Sequence, residues 1–232
     1  MMPMDNPIYN ALALIIPLVI AIVFHEVSHG YVAKLLGDPT AYERKRLSLN
    51  PLRHVDPVGT VILPGFLALV GAPVFGWAKP VPVNAQRLRN PRYGMMAVAA
   101  AGPGSNLIMA GIGAVALGLV ARTYAGVEPG AITAFTIANL TKFIQINIFL
   151  ALFNLLPIPP FDGSHIVEGV LPRKAARAYA GLHRYAMPLL LVLLVALPSV
   201  APQLDIVSRV LYPPFTWMLE DFGRLAAWAA GA

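Results

Sequence analysis

His25, Glu26 and His29 stand in the order His-Glu-x-x-His. On a helix, residues four apart share one face. His25 and His29 can therefore hold one metal ion, with Glu26 beside the first ligand and placed to handle a proton. The chain has no cysteine, so any further ligand must be an imidazole or a carboxylate. A catalytic zinc ordinarily takes three protein ligands and a water, so one ligand is still to be found. The candidates are His54, Asp56, Asp162, His165, Glu168 and His183. Asp162 is the strongest. It follows an apolar run, and its setting, with Pro157, Pro159 and Pro160 before it and Gly163 after, breaks a helix and lets a short carboxylate turn inward. His165 and Glu168 are second choices, and Asp162 could instead cap the helix that follows it.

These residues must be positioned by membrane helices. Of the 232 residues, 57% are hydrophobic and only 12% are charged, and the mean hydropathy is +0.67. A soluble domain carries about 25% charged residues. The composition implies an integral membrane protein. The net charge of +6 does not imply nucleic acid, because the basic residues lie in short loops between apolar runs. The N-terminus reads as the start of a span and not as a signal peptide, since its apolar run continues into the His-Glu motif. Ile8 to Leu36 is expected as the first span, bent locally at Pro17. Tyr93–Val120 and 131–156 are expected as spans, followed by a shorter one over Tyr185–Val200. The tail, 203–232, mixes Asp205, Arg209, Glu220, Asp221 and Arg224 with Trp217 and Trp228, and reads as an interfacial helix.

The stretch 60–78 is apolar but interrupted by Pro64, Gly65, Gly71, Pro73 and Gly76. Arg44, Lys45, Arg46 and Arg53 precede it, and Lys79, Arg87, Arg89 and Arg92 follow. A full crossing would put one basic loop on the wrong side of the membrane. A re-entrant segment beside the active site, with a β-hairpin at 74–83, keeps both inside; an ordinary short span is the alternative. The fold expected is an all-α polytopic membrane protein with about four to six transmembrane helices and a re-entrant or hairpin segment near 60–83. It is expected as a single domain over 1–232, with a core at 8–170 and a C-terminal span and tail at 171–232. The basic loops, including Arg173, Lys174, Arg177 and Arg184, place the active-site end on the cytosolic face of the cell membrane.

In soluble proteins His-Glu-x-x-His marks zinc proteases. Here it stands with A-G-P-x-x-N at 101–106 and N-x-x-P-x-P-x-x-D-G at 154–163. Together the three motifs resemble the site-2 protease family of intramembrane zinc metalloproteases. NPLRHVDPVGT (50–60) and GWAKPVPVN (76–84) resemble the branch without an inserted PDZ domain. The likeness covers roughly residues 8–170. Phe161 stands where the family usually has Leu, a change in a packing position. The resemblance implies one zinc per chain held by His25, His29 and Asp162, with Glu26 as general base. It also implies roles for Asn106 and Asn154 near the substrate or in supporting the core, and pairing of substrate along 74–83.

The function expected is hydrolysis of peptide bonds within or next to transmembrane segments of membrane proteins. The partners expected are those segments and the lipid bilayer, with a regulatory membrane partner or a homo-oligomer, and without nucleic acid. A metal transporter is the alternative of another class, but ionisable groups on several spans and an inverted repeat, expected of transporters, are not evident. A non-catalytic homologue that binds membrane helices is a third reading. The intact motif argues against it. The polar residues Lys142, Gln145 and Asn147 read as helix-to-helix glue or as a water route, and His54, His165 and His183 as surface or interfacial residues.

Overall fold

The computed structural model describes residues 7–69, 76–193 and 206–232. The described residues are helical or irregular, without a strand. Helix α1 (Pro7–Leu35) is followed by the short α2 (Thr40–Glu43), a 3-10 turn at Pro51–His54 and a π turn at Pro57–Ile62 that runs into α3 (Leu63–Leu69). A 3-10 turn at Ala85–Arg87 leads to α4 (Pro91–Thr123) and α5 (Ala131–Asn154). Then come α6 (Asp162–Val170), α7 (Arg173–Ala180), a 3-10 turn at Gly181–Tyr185, α8 (Ala186–Leu191) and α9 (Ile206–Ala230). Within α1, α4 and α5, three stretches are long and apolar enough to cross a membrane: Ala11–Leu35, Pro91–Thr123 and Ala131–Asn154. The span expected at Tyr185–Val200 is helical through α8, and its residues 194–200 lie outside the described residues.

Helix α4 is the central element, packing against α1, α5, α6 and α9. Its small residues allow this, because backbones can approach only where side chains are short. A Cβ on Gly113 would lie 2.9 Å from Phe143 of α5, and one on Gly118 would lie 2.7 Å from Ala229 of α9. Ala110, Ala114, Ile144 and Ile148 form a buried cluster that receives Phe215, Met218, Leu219 and Phe222 from α9. The outward faces stay apolar, with Leu14, Ile15 and Ile16 of α1 and Ile108 and Ile112 of α4 exposed. In a bilayer such faces meet lipid tails at no hydrophobic cost.

The tail expected as an interfacial helix packs, over its described residues 206–232, on α4 and α5. Glu220, Asp221 and Arg224 alternate with the apolar residues that dock on the core cluster. One expectation changes. The hairpin expected at 74–83 has no strand pairing over 76–83, while residues 74 and 75 lie outside the described residues. Residues 76–83 have no regular secondary structure and are tied to the preceding turns. Trp77 N–H donates to Gly59 O (3.0 Å) and Lys79 N–H to His54 O (2.8 Å). Gly59 is required at this crossing, where a Cβ would lie 2.3 Å from the Trp77 ring. The stretch at 60–69 is helical, as the π turn and α3, and 70–75 lie outside the described residues.

Candidate metal centre

His25 and His29 lie on one face of α1, both buried, with ring centroids 4.7 Å apart. Asp162 reaches them from the first turn of α6. The helix begins there because Phe161 takes the extended capping conformation. Gly163 lets the turn tuck under the end of α5, since a Cβ at that position would lie 2.3 Å from Leu155 O. Asp162 is therefore not the cap of the helix. Its Oδ2 lies 3.2 Å from His25 Nε2 and 3.4 Å from His29 Nε2, and the two Nε2 atoms are 3.1 Å apart.

These separations fit a metal. Ligand atoms about 2.0–2.1 Å from a tetrahedral zinc lie about 3.4 Å from one another. Asp162 Oδ2 is also buried with no hydrogen-bond donor among the described residues. Such an orphaned acceptor is costly unless a cation meets it. The other faces of both imidazoles are engaged. His25 Nδ1 lies 2.6 Å from Asn106 Oδ1 and His29 Nδ1 lies 2.7 Å from Val98 O. Both acceptors call for a proton on Nδ1, which leaves each Nε2 lone pair facing the site.

Asn106 is held in turn. Its amide group donates to Asn147 Oδ1 (2.8 Å) and to Ala21 O (3.3 Å), and Asn147 donates to Phe143 O (2.8 Å). Asn106 and Asn147 are fully buried. The tie between α4 and α5 thus ends on the His25 imidazole, and Asn147 joins the two helices through Asn106. Asn154 makes its hydrogen bond within α5. Its side chain donates to Leu150 O (2.9 Å) in its own helix. Glu26 is only partly buried, and its Oε2 accepts a hydrogen bond from Val81 N–H at 2.8 Å. The stretch 76–83 therefore meets the carboxylate at Val81.

Gly102 of α4 also borders the centre. A Cβ there would lie 2.6 Å from both His25 Cε1 and His29 Cε1. Its place in the A-G-P-x-x-N motif was the available signal. The amide of Val81 and the carbonyl of Val98 carry no side-chain signature at all. His54 is buried, contrary to the surface position expected, with Nε2 2.7 Å from Ser48 O. His165, Glu168 and His183 stay out of the centre and gather together elsewhere. Lys142 and Gln145 line a separate cavity of about 300 Å3 with Leu14, Leu18 and Phe215.

Two imidazoles and a carboxylate converge on one point, with Glu26 one residue from the first imidazole, a donor set suited to a divalent metal. The two histidines stand on a helix apolar enough for a membrane. Residues 118–197 match the family model described as Peptidase family M50. A Bacillus subtilis (strain 168) protein named "Putative zinc metalloprotease YwhC" is 40% identical over 200 residues, covering 83% of this chain and 86% of that protein. "Putative zinc metalloprotease Rip2" of Mycobacterium tuberculosis (strain H37Rv) is 31% identical over 178 residues, covering 76% of this chain and 64% of that longer relative. The same-named protein of Mycolicibacterium smegmatis is 28% identical over 176 residues, covering 75% of this chain and 63% of the relative. No solved structure matches the chain. The chain belongs to peptidase family M50, the site-2 protease family of zinc metalloproteases.

Proposed function

We propose that the chain is an intramembrane endopeptidase that hydrolyses peptide bonds within or next to transmembrane segments of membrane proteins. The observation that carries this is the triangle of His25 Nε2, His29 Nε2 and Asp162 Oδ2, with edges of 3.1–3.4 Å, built between apolar helices. These residues would hold one zinc ion. Bound there, zinc supplies a lowered water pKa and polarisation of the scissile carbonyl.

The chain's own residues supply the rest. Glu26 takes the water proton and returns it to the leaving amine. The Val81 N–H fixes one of its carboxylate oxygens (2.8 Å), leaving the second to face the reacting water. Asn106 and Val98 hold the imidazoles in the tautomer that ligates. Asn154 acts as a support for the end of α5 and not as a contact to substrate. A transmembrane substrate must unwind first, because a helix hides its carbonyls in hydrogen bonds. Residues 76–83, which meet Glu26 at Val81, offer main-chain groups outside regular secondary structure against which an unwound segment pairs. The basic loops support a cytosolic position for this end of the molecule, the side from which water would reach the site.

The test is Glu26→Gln, followed by two measurements on the purified protein. The variant retains zinc and loses cleavage of a membrane-spanning reporter. Cleavage at the parent rate by the glutamine variant would overturn the mechanism.

A further inference from the structure

We propose that His165, Glu168 and His183 form a second divalent-metal site, separate from the centre on α1. His165 and Glu168 stand one turn apart on α6, and His183 arrives from the 3-10 turn Gly181–Tyr185. Glu168 presents a different oxygen to each histidine: Oε1 lies 2.6 Å from His183 Nε2, and Oε2 lies 3.4 Å from His165 Nδ1. The two rings stack, with centroids 4.9 Å apart and planes at 22°. One ligand atom from each residue falls within 4.8 Å of the others. Two imidazoles and a carboxylate suit zinc, nickel or copper, and not magnesium or calcium, which prefer oxygen.

A surface ion pair accounts for less of this geometry. An i,i+3 His–Glu pair on one helix has no need of a second imidazole delivered by another element and stacked on the first. A metal would replace the contact between His183 Nε2 and Glu168 Oε1, since it ligates a neutral imidazole and a carboxylate. The side chains are 34%, 23% and 30% exposed for His165, Glu168 and His183. An ion can therefore enter and keep water ligands. His165 and Glu168 also line a cavity of about 330 Å3, walled by Arg92 and Arg177. A metal here joins α6, whose first residue is Asp162, to the segment after α7. It therefore braces the helix that supplies the third ligand of the other centre.

The experiment uses the full chain in detergent, stripped with a chelator, reloaded with Zn2+, desalted and assayed for bound metal. The parent is expected to hold two equivalents. His165→Ala/His183→Ala loses one, and His25→Ala/His29→Ala loses the other. If the α1 centre were not a metal site, the parent would hold one equivalent, lost only in the His165/His183 variant. The two proposals thus fail separately. Equal loading of the parent and the His165/His183 variant overturns the second site. Should the variant fold poorly, the unmodified chain decides: Zn2+ is expected to protect His165 and His183 from diethyl pyrocarbonate, read by peptide mass spectrometry. Equal modification with and without Zn2+ also overturns it.

Discussion

Gly102 shows how little room a metal site leaves. The nearest atoms to a Cβ at this position are those of the two ligand imidazoles, at 2.6 Å. Gly102→Ala must push one ring off its acceptor or move α4 away from α1. Zinc affinity is expected to fall at least tenfold, as it does when outer partners of ligands are lost; competition with a chromogenic chelator measures it. Asn106→Leu removes the acceptor for His25 Nδ1 and leaves Asn147 Oδ1 without its donor. The expected loss of zinc affinity is again about 10–100-fold. Asn147→Ala acts only through Asn106 and is expected to cost less in the same assay. An Asn147→Ala chain that bound zinc worse than Asn106→Leu would contradict this order.

At the scale of elements, the two helices that face each other across the site are joined by a polar staple outside the spans. Asp38 follows the end of α1 and is fully buried. It accepts hydrogen bonds from Thr40 N–H (3.0 Å), the Thr40 hydroxyl and Asn84 N–H (2.6 Å). Arg87 reaches the same carboxylate at 4.0 Å and pairs with both oxygens of Glu43 (2.7 and 2.8 Å). Burial opposes the charge on Asp38, but the hydrogen bonds and Arg87 outweigh it and hold the carboxyl below its ordinary value near 3.8. A folded pKa below the unfolded one means stability that is present above about pH 4 and lost as the pH falls further. Thermal unfolding in detergent should therefore weaken below pH 4, and the drop should be smaller in Asp38→Asn. Asp38→Ala strands the Asn84 and Thr40 donors, and a loss of about 1–3 kcal/mol is expected at neutral pH.

At the scale of the molecule, α9 closes the bundle against α4 and α5. Gly118 lies against the α9 backbone, and its Cβ would overlap Ala226 O. Gly118→Val is therefore expected to cost about 1–3 kcal/mol by overpacking. The loss should appear as a lower unfolding temperature, with zinc stoichiometry unchanged, because the metal ligands lie on α1 and α6. Loss of zinc along with the lower temperature would show that α9 supports the centre directly.

The chemistry of this protein is written locally, and so it is legible in the chain. His25, Glu26 and His29 share a helical turn, and the spacing of four puts both ligands on one face whatever surrounds them. The apolar runs of α1, α4 and α5 follow from composition, because a bilayer leaves the backbone few alternatives to a helix. Asp162 was legible as a helix-breaking carboxylate, but its arrival 3.2 Å from His25 depends on α6 tucking under α5. The docking of the tail on α4 and α5 was not legible, because it depends on which apolar face meets a neighbour. The path of 76–83, the Val81 amide on Glu26 and the buried relay from His25 through Asn106 to Asn147 were decided by tertiary structure alone. Main-chain donors carry no sequence signal, and contacts across 41 or 81 residues depend on how helices pack, which small residues allow but do not specify.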